Sequence, residues 1–316
     1  MSRAAQAVGV DVGGTKVNAL RVATGGEVLA RAHHPTPADD MEATLAELVG
    51  AVREVLTPDV IAVGAGVAGL VEEATGVLRY APNIAWRDVP VADRLRDAFG
   101  LPVAVDNDCA TATLAEWRLG AGRGRRNLLY VGVGTGIGGG IVRDGKIDRG
   151  AHGFSAEIGH VIVEPGGPRC GCGNQGCWET VASGSAITRD GRAAVTRHAH
   201  SLLAELAGGD PDAVTGELVT RAAQRGDPAA RGILAEAGTR LGEGIAGLVN
   251  VLDPEAVVVG GGAAEAGEAF LGPARAAFAR SVEAAAYRPE VPLLDAALGN
   301  DGAAIGAALL AMERLA

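Results

Sequence analysis

Hydrophobic positions along this chain follow two rules in turn. Short, nearly unbroken runs of Val, Ile, Ala and Leu at 7–12, 17–22, 60–67, 101–105, 128–133 and 256–259 read as buried β-strands bounded by glycine turns. Elsewhere apolar residues recur every three or four positions, as on an amphipathic helix. Met41, Leu45, Leu48, Val49, Val52 and Val55 line one face of a predicted helix over 39–56. Ile233, Leu234, Leu241, Ile245, Leu248, Val249 and Leu252 line one face of another over 228–252. The same reading predicts strands at 27–32 and 293–298, helices at 91–99, 110–119, 215–224 and 303–315, and a helix beginning near Thr180. Such an alternation is α/β.

One design occurs twice. A strand, Gly13-Gly14-Thr15 and a returning strand are matched by a strand, Gly134-Thr135-Gly136 and a returning strand. The repeat implies two related domains facing one another. Consecutive backbone N–H groups at such a tip, with a threonine hydroxyl beside them, can hold a phosphate. Two converging tips would grip a polyphosphate chain. Asp11 runs into the first tip and is placed to hold phosphate-bound Mg²⁺ through water. A Gly-Gly pair is equally an ordinary hairpin turn, and Lys16 after Thr15 does not give Walker A spacing.

The strand at 101–105 delivers Asp106-Asn107-Asp108 at its carboxyl end, where open α/β sheets bind ligands. One of the three could cap the next helix. Two carboxyls and an amide exceed what a cap requires, and Asp108 is the candidate general base. Asn83, following Pro82, reads as a turn former or a ligand contact.

The densest chemistry lies in Glu157-Ile158-Gly159-His160 and in Cys170, Cys172, Cys177 and Glu179. Three clustered thiols cannot all pair as disulfides, and with the upstream imidazole they form a Cys3His set suited to tetrahedral zinc. Four protein ligands leave no position for a reactive water, so the ion is expected to be structural. The loop it stiffens would present Glu157, His160 and Glu179 to a polar ligand. Solvated surface charge is the alternative for both glutamates.

Composition narrows the classes. With 316 residues and 48% hydrophobic content the chain can build two cores. A formal net charge of −10 argues against a nucleic-acid partner, which needs a basic face. No apolar run approaches the roughly 20 residues of a membrane span. The opening Met-Ser-Arg-Ala-Ala-Gln-Ala shows no apolar signal segment, so a cytoplasmic location is expected.

Taken together, Asp11-Val-Gly-Gly-Thr-Lys16, Gly134-Thr-Gly-Ile-Gly138-Gly-Gly140, Glu157-Ile-Gly-His160 and Cys170-x-Cys172-Gly-x-x-Gly-Cys177-x-Glu179 resemble the ROK family of sugar kinases and repressors. The likeness is greatest to its bacterial glucokinases and extends over essentially the whole chain. It implies a two-domain actin-like ATPase fold of the hexokinase and Hsp70 type, with sugar and ATP in an interdomain cleft. The small α/β domain would span 1–109, completed by the terminal helix 302–316. The large α/β domain would span 110–301 and carry the zinc loop 157–179.

By the same resemblance Asp108 is the base toward the 6-hydroxyl of glucose. Asn107, Asp108, Glu157, His160 and Glu179 bind the sugar, assisted by Asn83 and the backbone near Gly69. Gly13, Gly14, Thr15 and Lys16, with Gly134, Thr135, Gly136 and Gly138, would contact phosphates of Mg²⁺-bound ATP, and Gly261 and Gly262 would border the adenosine. His160, Cys170, Cys172 and Cys177 would ligate zinc, and a homo-oligomer is expected. Kinases for N-acetylglucosamine, N-acetylmannosamine, mannose or fructose share these motifs, and polyphosphate could use the same tips as ATP. Repressors of the family carry a DNA-binding domain before the first hairpin, where only ten residues precede Asp11. Two departures stand out: Ala68 where many relatives carry proline, and Cys109 where small residues other than cysteine are usual.

Overall fold

A computed structural model of the chain describes residues 5–315. In chain order, β1 (Gln6–Val12), β2 (Lys16–Ala23) and β3 (Val28–Pro35) precede helix α1 (Met41–Val55). Then come β4 (Val60–Val67), β5 (Leu70–Glu72), β6 (Val77–Tyr80), β7 (Arg87–Val89), α2 (Val91–Phe99), β8 (Val103–Asn107) and α3 (Asp108–Arg118). The chain continues through β9 (Leu128–Val133), β10 (Ile137–Arg143), β11 (Lys146–Ile147), α4 (Glu179–Ala182), α5 (Gly184–Arg197), α6 (Leu202–Leu206) and α7 (Gly216–Gln224). It ends with α8 (Pro228–Leu252), β12 (Ala256–Gly260), α9 (Glu268–Ser281), β13 (Leu293–Asp295) and α10 (Gly302–Glu313).

Two five-stranded sheets, ordered β3-β2-β1-β4-β8 and β11-β10-β9-β12-β13, account for the apolar runs, and β5-β6-β7 form a small third sheet. The chain divides into two compact units. The first holds the chain through Tyr130, Gly139–Ala156 and the chain from Ala296 onward; the second holds Val131–Gly138 and Glu157–Asp295.

In the first unit β1 pairs antiparallel with β2 and parallel with β4, which pairs parallel with β8. Val8, Val10 and Val12 pack in one core with Leu45, Leu48 and Val52 of α1, while Ala7 packs in another with Ala304, Ile305 and Ala308 of α10. Because successive strand side chains point to opposite faces and both faces are covered, these strands read as continuous apolar runs. Helix α10 seats directly on the strand backbones. A Cβ on Gly9 would strike the Ala304 carbonyl oxygen, and one on Gly64 that of Ala307.

The second unit is built around α8, against which α4, α5, α7 and α9 pack. Asp227 caps α8 by accepting the Ala230 N–H at 2.9 Å, and it also accepts that of Leu203 at 3.0 Å, tying α6 to the same helix end. The sequence pattern assigns no element to 268–281. Helix α9 nonetheless forms around an interior Pro273, with Phe270 fully buried. The helix predicted to start near Thr180 is two helices, since Ser183 leaves helical geometry and caps α5. Strands β5 and β7, three residues each, also lack a periodic signal of their own. Among the described residues no helix is long and apolar enough to cross a membrane.

Candidate active site and metal centre

The first glycine tip is closed by the Gly13 N–H donating to the Lys16 carbonyl at 3.1 Å. Thr36 braces it: its hydroxyl donates to the Gly13 carbonyl at 2.8 Å and its N–H to that of Thr15 at 3.1 Å. Gly14 lies against Asn83, which an added Cβ would approach to 3.1 Å. Thr15 and Lys16 are exposed. Asp11, at the base of the tip, has its pKa raised to about 7, first by burial and then by the negative charge of Asp108, with Lys16 opposing. Asp11 and Asp108 are therefore electrostatic neighbours.

The Asp106-Asn107-Asp108 run divides its work. Asn107 caps α3, its side-chain oxygen accepting the N–H groups of Cys109 at 2.8 Å and Ala110 at 3.1 Å. Its amide donates to the Gly69 carbonyl at 3.1 Å. Gly69 has φ of +133°, and a Cβ there would strike the Tyr80 carbonyl oxygen, so the turn requires glycine. At the preceding position the Ala68 N–H donates to the Val12 carbonyl at 3.3 Å, a bond proline could not make. Asp108 is the first residue of α3. Burial raises its pKa, and the Cys109 N–H at 2.8 Å partly opposes that rise. Asp106 is buried and meets Arg149, a residue with no motif signal because the contact spans 43 positions.

In the second unit the Gly134 N–H donates to the Gly136 carbonyl at 3.0 Å, closing the second tip. The carbonyls of Gly134 and Thr135 accept the N–H groups of Gly184 and Ser185 at 2.9 and 3.1 Å, so α5 begins on this tip. Gly138 lies within β10. Gly261 has φ of +89° and packs on Val133, leaving 2.6 Å between an added Cβ and the Val133 carbonyl oxygen, while Gly262 is exposed. A Cβ on Gly136 would collide with Oε2 of Glu179, which puts the tip and the cysteine loop side by side.

His160, Cys170, Cys172 and Cys177 come together with their ligand atoms all within 4.8 Å of one another. The Cys172 and Cys177 sulfurs are 3.7 Å apart, and the Cys170 sulfur lies 3.6 Å from His160 Nδ1. A tetrahedral zinc with bonds of about 2.3 Å to sulfur and 2.05 Å to nitrogen requires separations of about 3.8 and 3.6 Å. The donor set therefore fits such an ion, and none of the four cysteines is in a disulfide. Cys170 is held protonated by burial and by its 2.9 Å hydrogen bond to Glu179 Oε1, and a bound cation favours the thiolate instead. With Nδ1 turned to the sulfurs, His160 Nε2 faces Glu157 Oε2 at 3.8 Å. The loop thus groups Glu157 and Glu179 beside His160 of this donor set.

The sequence profile of the ROK family matches residues 7–314. The chain belongs to the ROK family. It is similar to a ROK relative from Streptomyces coelicolor described as a glucokinase, with 39% identity over 309 residues, 97% of each chain. Among solved structures it is similar to a ROK family glucokinase from Streptomyces griseus in complex with glucose and AMPPNP. That likeness has a TM-score of 0.90 at 39% identity, covering 98% of this chain and 99% of the other. A ROK hexokinase from Thermus thermophilus matches with a TM-score of 0.75 at 36% identity, covering 98% and 99%. The architecture is the actin-like ATPase fold of these ROK sugar kinases.

Proposed function

We infer that this chain transfers the γ-phosphoryl group of ATP to the 6-hydroxyl of glucose, giving glucose 6-phosphate and ADP. The observation that carries the reading is 39% identity, over 98% of the chain, to a ROK glucokinase solved with glucose and AMPPNP.

Asp108 is the proposed base. A sugar hydroxyl is a weak nucleophile at neutral pH, and a positioned carboxylate accepts its proton as the bond to phosphorus forms and the bond to the ADP oxygen breaks. Glu157, His160, Glu179 and Asn107 each offer paired donors or acceptors to ring hydroxyls, and those to the carboxylates gain strength from charge. Asn83 and the Gly69 turn complete the sugar side. Gly13 to Lys16, Gly134 to Gly136 and Gly138 receive the phosphates, and Gly261 and Gly262 border the adenosine. Asp11 would hold Mg²⁺ through water, and the ion when bound offsets charge on the phosphate oxygens. His160, Cys170, Cys172 and Cys177 would hold zinc, which when bound would stiffen the sugar-binding loop. We keep the domain limits 1–109 with 302–316, and 110–301, as part of this reading, together with a cytoplasmic homo-oligomer that binds no nucleic acid; the formal charge of −10 supports the last point.

A coupled assay of glucose, mannose, fructose and N-acetylglucosamine against ATP and polyphosphate tests the reading. The expected result is the highest kcat/KM for glucose with ATP. Asp108→Asn, which keeps an oxygen for the Cys109 N–H, is expected to lower kcat by about 100-fold or more while glucose affinity changes less. A different preferred hexose, or unchanged turnover in Asp108→Asn, refutes the corresponding part.

A further inference from the structure

Asp106, two residues before the proposed base, is 2% exposed and carries a charge that the reaction as described does not use. Its Oδ1 accepts the Asn107 N–H at 2.9 Å, and Oδ2 receives both Nε and a terminal nitrogen of Arg149 at 2.8 Å. Arg149 begins a segment, 149–154, that borders a cavity of about 570 Å³ whose other side is Glu72, Glu73 and Arg79. At its far end the segment rests on the chain that follows β4, where a Cβ added to Gly153 would come within 2.9 Å of the Val71 carbonyl oxygen, and at its near end Arg149 is the attachment to the end of β8. Arg149 Nε also lies 3.8 Å from Glu73 Oε1, and Glu73 in turn pairs with Arg314, just past α10.

We propose that Asp106 and Arg149 are a positioning pair, fastening the end of β8 so that Asn107 caps α3 squarely and Asp108 is presented at a constant place. The inference rests on the reading of Asp108 as base. Its physical basis is that one carboxylate grips two separate parts of the first unit. One oxygen holds the backbone at the strand end and the other holds the 149–154 segment. The guanidinium brings both of its contacting nitrogens to a single oxygen, leaving the other for the Asn107 backbone N–H. Without Arg149, Asp106 is a buried carboxylate with no countercharge at the strand end, a situation that favours local rearrangement. A displacement of Asp108 by a fraction of an ångström is felt in the chemical step before it is felt in sugar binding.

The test uses the full chain and three variants, Arg149→Met, Arg149→Lys and Asp106→Asn, with the double variant Asp106→Asn/Arg149→Met. Glucose phosphorylation is followed at saturating ATP, and thermal unfolding is recorded alongside. Arg149→Met and Asp106→Asn are each expected to lower kcat by about 10- to 100-fold, with the glucose KM within about threefold of the parent. The double variant is expected to be no slower than the slower single one, because the pair acts as a unit. Arg149→Lys restores part of kcat by returning the charge. A folded variant with parental kcat, or a loss confined to KM, overturns the proposal. So does a lowered melting temperature with kcat intact, which assigns the pair to stability alone. Should Arg149→Met fail to fold, the isosteric Asp106→Asn decides the same comparison. A parent chain that phosphorylates no glucose refutes the proposed function instead, so the two failures are distinct.

Discussion

Replacing Glu116 by glutamine is expected to destabilise the first unit by about 3 kcal/mol, counted from the backbone donors it leaves without acceptors. Glu116 lies in α3 and is 1% exposed. Its Oε2 accepts the N–H groups of Ala121 at 2.9 Å and Ala297 at 3.1 Å, and Oε1 accepts that of Leu298 at 2.8 Å. One carboxylate thus ties the end of α3 to the segment that leads into α10. Glutamine has the same shape but offers one carbonyl and one NH2 group. Whichever way the amide turns, its NH2 confronts at least one backbone donor. A buried donor without an acceptor costs about 1–3 kcal/mol, and each surviving bond loses about 1 kcal/mol with the charge. Alanine orphans all three donors and should cost more, about 5 kcal/mol on the same scale. Urea unfolding followed by circular dichroism and tryptophan fluorescence gives the order: parent, glutamine, alanine. A glutamine variant with the parental midpoint refutes the reasoning. An alanine variant more stable than the glutamine one would show that water replaces the carboxylate.

Three further outcomes are expected. His34 lies between Glu47, 2.6 Å from Nδ1, and Glu54, 3.2 Å from Nε2, and these hydrogen bonds raise its pKa above the usual histidine value. The stability it adds is complete below the unfolded-state pKa and fades as pH rises through the higher folded value. His34→Gln should flatten that dependence in urea midpoints measured between about pH 5.5 and 8.5, and an unchanged slope refutes the assignment. Solvent screening keeps the effect under about 1 kcal/mol. Cys172→Ser should lose bound metal by elemental analysis and raise the glucose KM by about tenfold. Metal loss with an unchanged KM would show that the sugar-binding residues do not depend on the ion. In Gly64→Ala the new Cβ meets the Ala307 carbonyl oxygen, backbone that cannot swing aside, so α10 must move at a cost of about 1–3 kcal/mol or more. A calorimetric melting temperature equal to the parent's would show that α10 is loosely seated.

Much of the architecture is legible in the residues because its causes are local. The strands at 7–12 and 60–67 announce themselves by carrying apolar side chains on both faces, which only a sheet covered on both sides can accommodate. The cysteine loop is equally legible, since glycine-separated cysteines and an upstream histidine form a donor set that suits only a few ions. Helix α9 is not legible, because Pro273 reads as a breaker and only packing against α8 overrides it. The three-residue strands β5 and β7 are too short for any period to register.

What the sequence by itself determined, then, is which residues are chemically able to act: the two glycine tips, the Asp106-Asn107-Asp108 run and the Cys3His set. Only the tertiary structure decided how the three members of that run divide their tasks, with Asn107 capping α3 and binding the Gly69 carbonyl, Asp106 meeting Arg149, and Asp108 half-buried as an electrostatic neighbour of Asp11. Side-chain type and spacing follow from the chain alone. A buried carboxylate takes its countercharge from whatever the fold brings to it, and at Asp106 that partner lies 43 residues away.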